Sequence, residues 1–229
     1  MIPTVLLFDI DGTLITTGGA GRRALEQAFA ALHERPDALT TFRLDGMTDK
    51  AIVRMGLETI GQPPTDAAID AILAKYLEVL GAEVEKVAPA NYRIHPGMSE
   101  AVAAGKKMGA AIGLGTGNIK GGAKIKLQRV GLYDSFGFGG FGDDHEQRPE
   151  LIRRGAQRGV KHLRVPWTEA RVVVIGDTPM DIAAAHAIGA QCMALGTGHY
   201  TAAQLQEAGA DWAHDTLASP GALEALLDG

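Results

Sequence analysis

A chain of 229 residues, 46% hydrophobic and 21% charged, can bury one sizeable core, with or without a small insert. Its 27 acidic and 22 basic residues give a net charge of −5, which argues against nucleic-acid or anionic-membrane partners and for a small ligand. A single cysteine, Cys192, rules out an intrachain disulfide, and with no leader-like segment before the first motif the expected setting is cytoplasmic.

Aromatics make up only 5% of the chain, so Ala, Val, Leu and Ile must fill the interior, as they do where helices pack on a sheet. The first element, at 5–8, is a short and nearly continuous apolar run, the pattern of a strand covered on both faces. From about residue 16 to 92 the pattern changes. Helical periodicity at 22–32, 50–60 and 66–87 runs without a convincing strand between, and glycines at 18, 19 and 21 and prolines at 89 and 96 mark its edges. This predicts a small inserted α-helical cap over 16–92, with a core formed by 1–15 and 93–229. Strand-like runs then return at 110–114, 172–175 and 191–195, with helical patterns at 98–108, 119–129 and 180–188. The alternation predicts an α/β fold with a Rossmann-like, doubly wound parallel sheet, in which ligands collect beyond the carboxyl ends of the strands. Cys192 lies in the last of these runs and reads as a buried structural thiol.

The residues suited to chemistry stand at those strand ends. Asp9 and Asp11 follow the first strand two residues apart, so both carboxylates project to one side of the chain, and Gly12 then permits a sharp turn. Two carboxylates so placed repel one another unless a cation or a shared proton holds them. An ordinary solvated turn is the competing reading of this motif alone. Asp177 ends the most hydrophobic strand, with Asp181 four residues later in the first turn of a helix; Thr178 and Pro179 also suit a plain helix start. Two such acidic pairs are a suitable oxygen donor set for Mg²⁺, which takes about six ligands and keeps several waters. Thr116, Gly117 and Asn118 lie where a strand gives way to a helix, a place for holding phosphate with backbone N–H groups and a hydroxyl, although a simple helix cap explains Thr116 as well. The glycines at 113, 115 and 117 match a dinucleotide fingerprint only loosely and lack the acidic residue that such a site requires.

Taken together, Asp9-Ile-Asp11-Gly12-Thr13, Thr116 at a strand end and Gly176-Asp177-Thr-Pro-Met-Asp181, in this order and with a helical insert after the first, resemble the haloacid dehalogenase superfamily, in particular its phosphoglycolate-phosphatase-like members. The resemblance covers nearly the whole chain. It implies a Mg²⁺-dependent phosphatase acting on a small phosphorylated metabolite, phosphoglycolate-like or a sugar phosphate, as a monomer or homodimer. By the same resemblance Asp9 is the nucleophile that forms an aspartyl-phosphate, and Asp11 is first the acid and then the base, with its pKa shifted to suit. Asp9, Asp11 through its carbonyl, Asp177 and Asp181 would serve the metal, and Thr116 the phosphoryl group. The family's third motif carries a lysine near position 148, where this chain has Arg148 followed by Pro149. Lys126, on the helix after the second motif, and Arg148 therefore share the expectation of neutralising phosphoryl charge, while Lys120 and Lys124 read as solvated. Substrate groups are expected from the insert: Arg22, Arg43, Arg54 and the stretch 44–49. Asp144 and His145 read either as neighbours of the site or as loop caps.

Four rival readings stand beside this one. Dehalogenase chemistry has no use for Asp11, and phosphonatase chemistry needs a Schiff-base lysine in the cap, for which only Lys50 and Lys75 are formal candidates. A phosphomutase of the β-phosphoglucomutase type keeps every motif and differs in shielding the phosphoenzyme from water. A binding protein that kept the fold and lost turnover is the reading from another class, motivated by Arg148.

Overall fold

The computed structural model describes residues 2–228. Its centre is β1 (Thr4–Phe8), which continues into a two-residue strand, β2 (Ile15–Thr16). Three helices follow, α1 (Ala20–His33), α2 (Asp49–Thr59) and α3 (Asp66–Lys86), before the chain returns through β3 (Arg93–Ile94). Next come α4 (Met98–Lys107), β4 (Ala111–Gly115), α5 (Lys120–Gln128), β5 (Phe138–Gly140) and α6 (Arg148–Leu163). The chain ends with β6 (Arg171–Gly176), α7 (Pro179–His186), β7 (Gln191–Leu195), α8 (Ala202–Glu207), β8 (Trp212–His214) and α9 (Ala222–Asp228).

Six strands form one parallel sheet in the order β5-β4-β1-β6-β7-β8. The chain winds from β1 outward through β4 to β5, then crosses back to β6 and winds the other way. The reversal puts a crevice beyond the carboxyl end of β1 and its two neighbours. Alternate residues of each central strand serve opposite faces. Leu6, Phe8, Val173, Ile175, Met193 and Leu195 join one apolar cluster; Val5, Leu7, Val172, Val174, Cys192 and Ala194 join the other. Burial on both faces is why these strands read as continuous apolar runs. Cys192 is buried, as expected of a structural thiol.

Residues 20–86 carry the three successive helices. Thr48 and Thr65 start α2 and α3 by accepting from the backbone N–H of Ala51 and Ala68. Ile69, Ile72, Leu73, Tyr76, Leu80 and Val84 recur at helical spacing along α3 and pack with Leu25 and Phe29 of α1 in the same apolar cluster as Leu6 and Phe8 of β1. Burial of each of these large side chains contributes roughly 2 kcal/mol. Antiparallel pairing of Ile15 with Ile94 and of Thr16 with Arg93 brings the outgoing and returning chains side by side.

Candidate active site

The site begins where β1 ends. Asp9 still belongs to the ladder, its N–H donating to the Ile175 carbonyl at 2.9 Å, and the chain then reverses at Gly12, which has a φ of +80°. A side chain at Gly12 would be strained in that conformation and would also collide with the Asp177 carboxylate. Asp177 follows β6, next to β1, and Thr13 donates its hydroxyl to Asp177 Oδ1 at 2.8 Å. The next helix, α7, opens with a capping box in which Thr178 and Asp181 bond one another reciprocally.

Two ion networks share this strand end. In the first, Arg148, the first residue of α6, donates to Asp9 Oδ2 at 2.7 Å and to Asp181 Oδ1 at 2.5 Å, while its third arm reaches the Gly46 carbonyl at 3.1 Å. Asp9, Asp177 and Asp181 are all buried and offer oxygens within 4.8 Å of one another. Burial pushes the Asp9 carboxyl up, only partly opposed by Arg148 and the Thr116 hydroxyl. Asp177 is driven well above the usual carboxylate range by burial, then by the charges of Asp181 and Asp9. One guanidinium against three buried carboxylates leaves negative charge unmatched, so these hard oxygen donors suit a divalent cation. Asp181 spends one oxygen on Arg148 and the other on Thr178, which leaves Asp9 and Asp177 as the carboxylates with oxygens to offer.

The second network holds Asp11. Lys126 on α5 donates to Asp11 Oδ2 and to Asn118 Oδ1, each at 2.6 Å; Asn118 Nδ2 donates to the same Asp11 oxygen at 2.8 Å and Thr17 to the other at 3.1 Å. Burial would raise the Asp11 carboxyl, but Lys126, helped by Asn118 and Thr17, outweighs it and holds the group below its ordinary range. Lys126 and Arg148, which the sequence offers for one role, thus take separate carboxylates. Lys120 and Lys124 are exposed.

A cavity of about 500 Å³ opens onto this strand end, lined on the core side by Asp9, Asp11, Gly117, Asn118, Lys126 and Arg148. Thr116 lies behind that surface, fully buried, its hydroxyl accepting from the Asn118 side chain at 2.9 Å. Asp177 and Asp181 also sit behind the lining. On the far side, Arg22 and Arg43 line the cavity, but each is engaged locally, Arg22 with Glu26 and the Leu39 carbonyl and Arg43 with Asp45. Arg54 is no part of the lining and instead grips Glu146 with two bonds of 2.8 and 2.9 Å. Asp144 and His145 act as loop caps, accepting from the backbone N–H of Phe141 and Gln147. Lys50 reaches the Asp143 carbonyl and Lys75 pairs with Glu78.

Among the lining residues, Asp49 was offered by the sequence only as part of the stretch 44–49, and Tyr76 was not singled out. Asp49, within the stretch 44–49, donates its N–H to the Gly117 carbonyl at 2.9 Å and accepts from the Ile119 N–H at 2.8 Å, so it clasps α2 to the turn after β4. Tyr76 reads as one more core residue of α3, yet it lines the cavity and carries a buried hydroxyl. The helical-face position gave no signal of that.

A profile of haloacid dehalogenase-like hydrolases matches residues 3–189. A relative from Dickeya dadantii strain 3937 named "Probable phosphatase IndB" is 27% identical over 230 residues, covering 97% of this chain and 94% of that protein. Among solved structures, CbbY from Rhodobacter sphaeroides in complex with phosphate superposes with a TM-score of 0.74 at 25% identity over all of both chains. A CbbY variant in complex with xylulose-1,5-bisphosphate gives 0.71 at 24% identity, over 96% of this chain and 97% of that one. A hydrolase from Pseudomonas syringae gives 0.69 at 22% identity, over 97% and 96%. With the profile spanning most of its length and both networks built on the strand ends of its parallel sheet, the chain belongs to the haloacid dehalogenase-like hydrolases and is an enzyme of that family.

Proposed function

We propose that the protein is a Mg²⁺-dependent phosphatase that hydrolyses a small phosphomonoester through an aspartyl-phosphate. The observation that carries this reading is the division of the strand-end carboxylates: Asp9 sits in a cation-deficient cluster with Asp177 and Asp181, while Asp11 is held separately by Lys126. Asp9 attacks phosphorus, and as the P–O bond to the alcohol breaks the leaving oxygen takes a proton from Asp11. Asp11, now a carboxylate, removes a proton from the water that attacks phosphorus, and cleavage of the bond to Asp9 releases inorganic phosphate.

The lowered pKa of Asp11 suits the second half of this cycle and opposes the first. Lys126 resolves the conflict if it serves two partners. When a phosphoryl group draws the ammonium toward itself, Asp11 loses its main stabilising charge and its pKa rises toward a range where it holds a proton. Arg148 keeps one oxygen of Asp9 fixed, and Asp181 positions Arg148. Gly117 and Asn118 line the phosphoryl site, with Thr116 behind them. Asp9, Asp177 and the Asp11 carbonyl would hold Mg²⁺, with Asp181 orienting the group; the ion supplies charge neutralisation at the nucleophile and the phosphoryl oxygens. Residues 16–92 act as a cap that closes the cavity and excludes water.

The substrate is a small phosphorylated metabolite, a reading supported by the cavity's size and by phosphate and a sugar bisphosphate bound in CbbY. Among the described residues no helix is long and apolar enough to cross a membrane. We place the reaction in the cytoplasm, with the protein a monomer or homodimer. Phosphate release from a panel of phosphomonoesters, with Mg²⁺ or with chelator, tests the proposal. Release that needs the metal and is abolished by Asp9→Asn is expected; no release from any ester would overturn it.

A further inference from the structure

The part of the cavity beyond the phosphoryl site has its own charge balance. Its two arginines are each matched by an acid, Arg22 by Glu26 and Arg43 by Asp45, and His199 also lies 3.2 Å from Asp45. Asp49 adds a further carboxylate, one oxygen of which accepts from Ile119 while the other has no donor among the described residues. Among the described residues no cation here is left over for a second anion. Between these groups the lining is apolar: Leu25, Phe42, Leu44, Met47 and Ile52.

Tyr76 is the second, independent observation. Its side chain is fully buried, it borders the same cavity, and its hydroxyl has no hydrogen-bond partner among the described residues. The ring is held by the α3 packing, so the hydroxyl cannot swing to solvent. A buried, unpartnered hydroxyl is destabilising, and few occur without a reason. Burial and the nearby Asp49 and Asp11 charges push its pKa well up, so it stays a neutral donor. Asp49 supplies the complementary acceptor. A ligand hydroxyl can donate to one and accept from the other.

Resting on the phosphatase reading, we infer that Asp49 and Tyr76 read a hydroxyl on the leaving group, and that the substrate is the phosphomonoester of an uncharged polyol rather than of a carboxylic acid or a second phosphate. A carboxylate such as that of phosphoglycolate would enter a chamber whose arginines are already paired and which holds the Asp49 carboxylate, where like charges repel in a low-dielectric space. The apolar side chains pack the carbon frame and leave hydrogen bonds to set orientation.

The experiment compares kcat/KM of the wild-type protein on ribose 5-phosphate, phosphoglycolate and p-nitrophenyl phosphate, and then of Tyr76→Phe and Asp49→Asn on the same three, with thermal melts to show that each variant is folded. Wild type is expected to prefer the pentose phosphate to phosphoglycolate by about tenfold or more. Tyr76→Phe lowers the ratio of pentose-phosphate to aryl-phosphate kcat/KM by about fivefold, the value of one neutral hydrogen bond. Asp49→Asn raises phosphoglycolate relative to the aryl ester. A wild-type preference for phosphoglycolate overturns the inference while leaving the phosphatase reading intact, and so does an equal loss on all three esters in Tyr76→Phe, which marks a structural role. No phosphate release from any ester removes both readings.

Discussion

Asp49→Asn should make the protein more stable at neutral pH and change it little near pH 4. Asp49 is only 6% exposed, and its carboxyl is raised from the ordinary 3.8 to about 6, because burial outweighs the Lys126 charge and the Ile119 hydrogen bond while Asp11 and Asp143 add repulsion. A folded-state pKa above the unfolded one means that the native protein holds the proton more tightly. The contribution is therefore complete below about pH 4 and is lost as the pH rises through about 6. A gap of about two pH units corresponds to about 3 kcal/mol lost by pH 8. Asparagine keeps an oxygen for the Ile119 N–H and never ionises, so the variant avoids that loss. Urea unfolding without metal at pH 4 and pH 8 is the assay. The two proteins should differ by less than about 1 kcal/mol at pH 4 and by about 2–3 kcal/mol in favour of Asn at pH 8, a midpoint shift on the order of 1 M. Equal stability at pH 8, or the same difference at both pH values, would refute the reasoning. The gain in stability at the expense of substrate discrimination is the usual trade at a site that buries a charge for function.

Further outcomes follow from the same geometry. Arg148→Ala removes the one cation among the described residues that is bonded to Asp9 and Asp181 and is expected to lower metal-free stability by about 3–5 kcal/mol; thermal melts should recover part of this in Mg²⁺, and a melting temperature indifferent to the ion would contradict the cluster's reading. Lys126→Ala removes the charge that holds Asp11 down, so the basic limb of the kcat/KM profile, where Asp11 loses the proton it gives the leaving oxygen, should move to higher pH. Glu83, bonded by Lys86, Gln27 and Arg23, has its carboxyl lowered from 4.5 to about 2, so its support of the α1 and α3 pairing is present above pH 4.5 and fades toward pH 2. With Arg23 and Lys86 largely solvated, Glu83→Gln should cost about 1–2 kcal/mol at pH 7 and nothing near pH 2, as read by denaturant unfolding. Gly12→Ala must either abandon its positive φ or displace Asp177, costing about 1–3 kcal/mol and weakening Mg²⁺ binding by calorimetry.

The strands legible in the sequence are those buried on both faces. β1, β6 and β7 show as unbroken apolar runs because each residue meets one apolar layer or the other. β5, Phe138-Gly-Gly, has too few side chains to show a pattern, and β8, Trp212-Ala-His, is a half-buried edge strand. α6 escaped notice for a different reason: its exposed face is so rich in Arg and Lys that its apolar stripe of Leu151, Ile152, Ala156 and Val160 is thin. At the site, Asp9 and Asp11 were legible from their place just after the β1 run, but β1 ends at Phe8 and the chain turns through 9–12, so the turn and not a strand's period of two sets where each carboxylate points. The long cations were not. Arg22, Arg43 and Arg54 have several torsions each, and what they pair with is settled by neighbours distant in sequence, such as Glu146 for Arg54. Tyr76 could not be told from core, since only the cavity beside α3 distinguishes its hydroxyl from its ring.

The arginine at 148, where the family pattern carries a lysine, is explained by the reach of its donors. Arg148 contacts three acceptors from three parts of the chain: Asp9 at the end of β1, Asp181 in α7 and the Gly46 carbonyl in the segment leading into α2. An ammonium is a compact point charge, whereas the planar fork spans a carboxylate pair and still presents an arm to the far wall of the cavity. Asp9's partner is thereby bonded to the very segment that covers it. Opening of that segment would strip one bond from Arg148 and loosen its hold on Asp9, so under the proposed reading closure and orientation of the nucleophile are coupled through a single side chain. Lys126 leaves Asp11 in a neutral pair of its own. Under the proposed reading, the three carboxylates Asp9, Asp177 and Asp181 are then balanced by Arg148 together with one divalent cation, and the site is close to electrically neutral before a phosphoryl dianion arrives. Removal of either the guanidinium or the metal leaves a buried negative charge facing an anionic substrate, so each should weaken binding of inorganic phosphate as well as turnover.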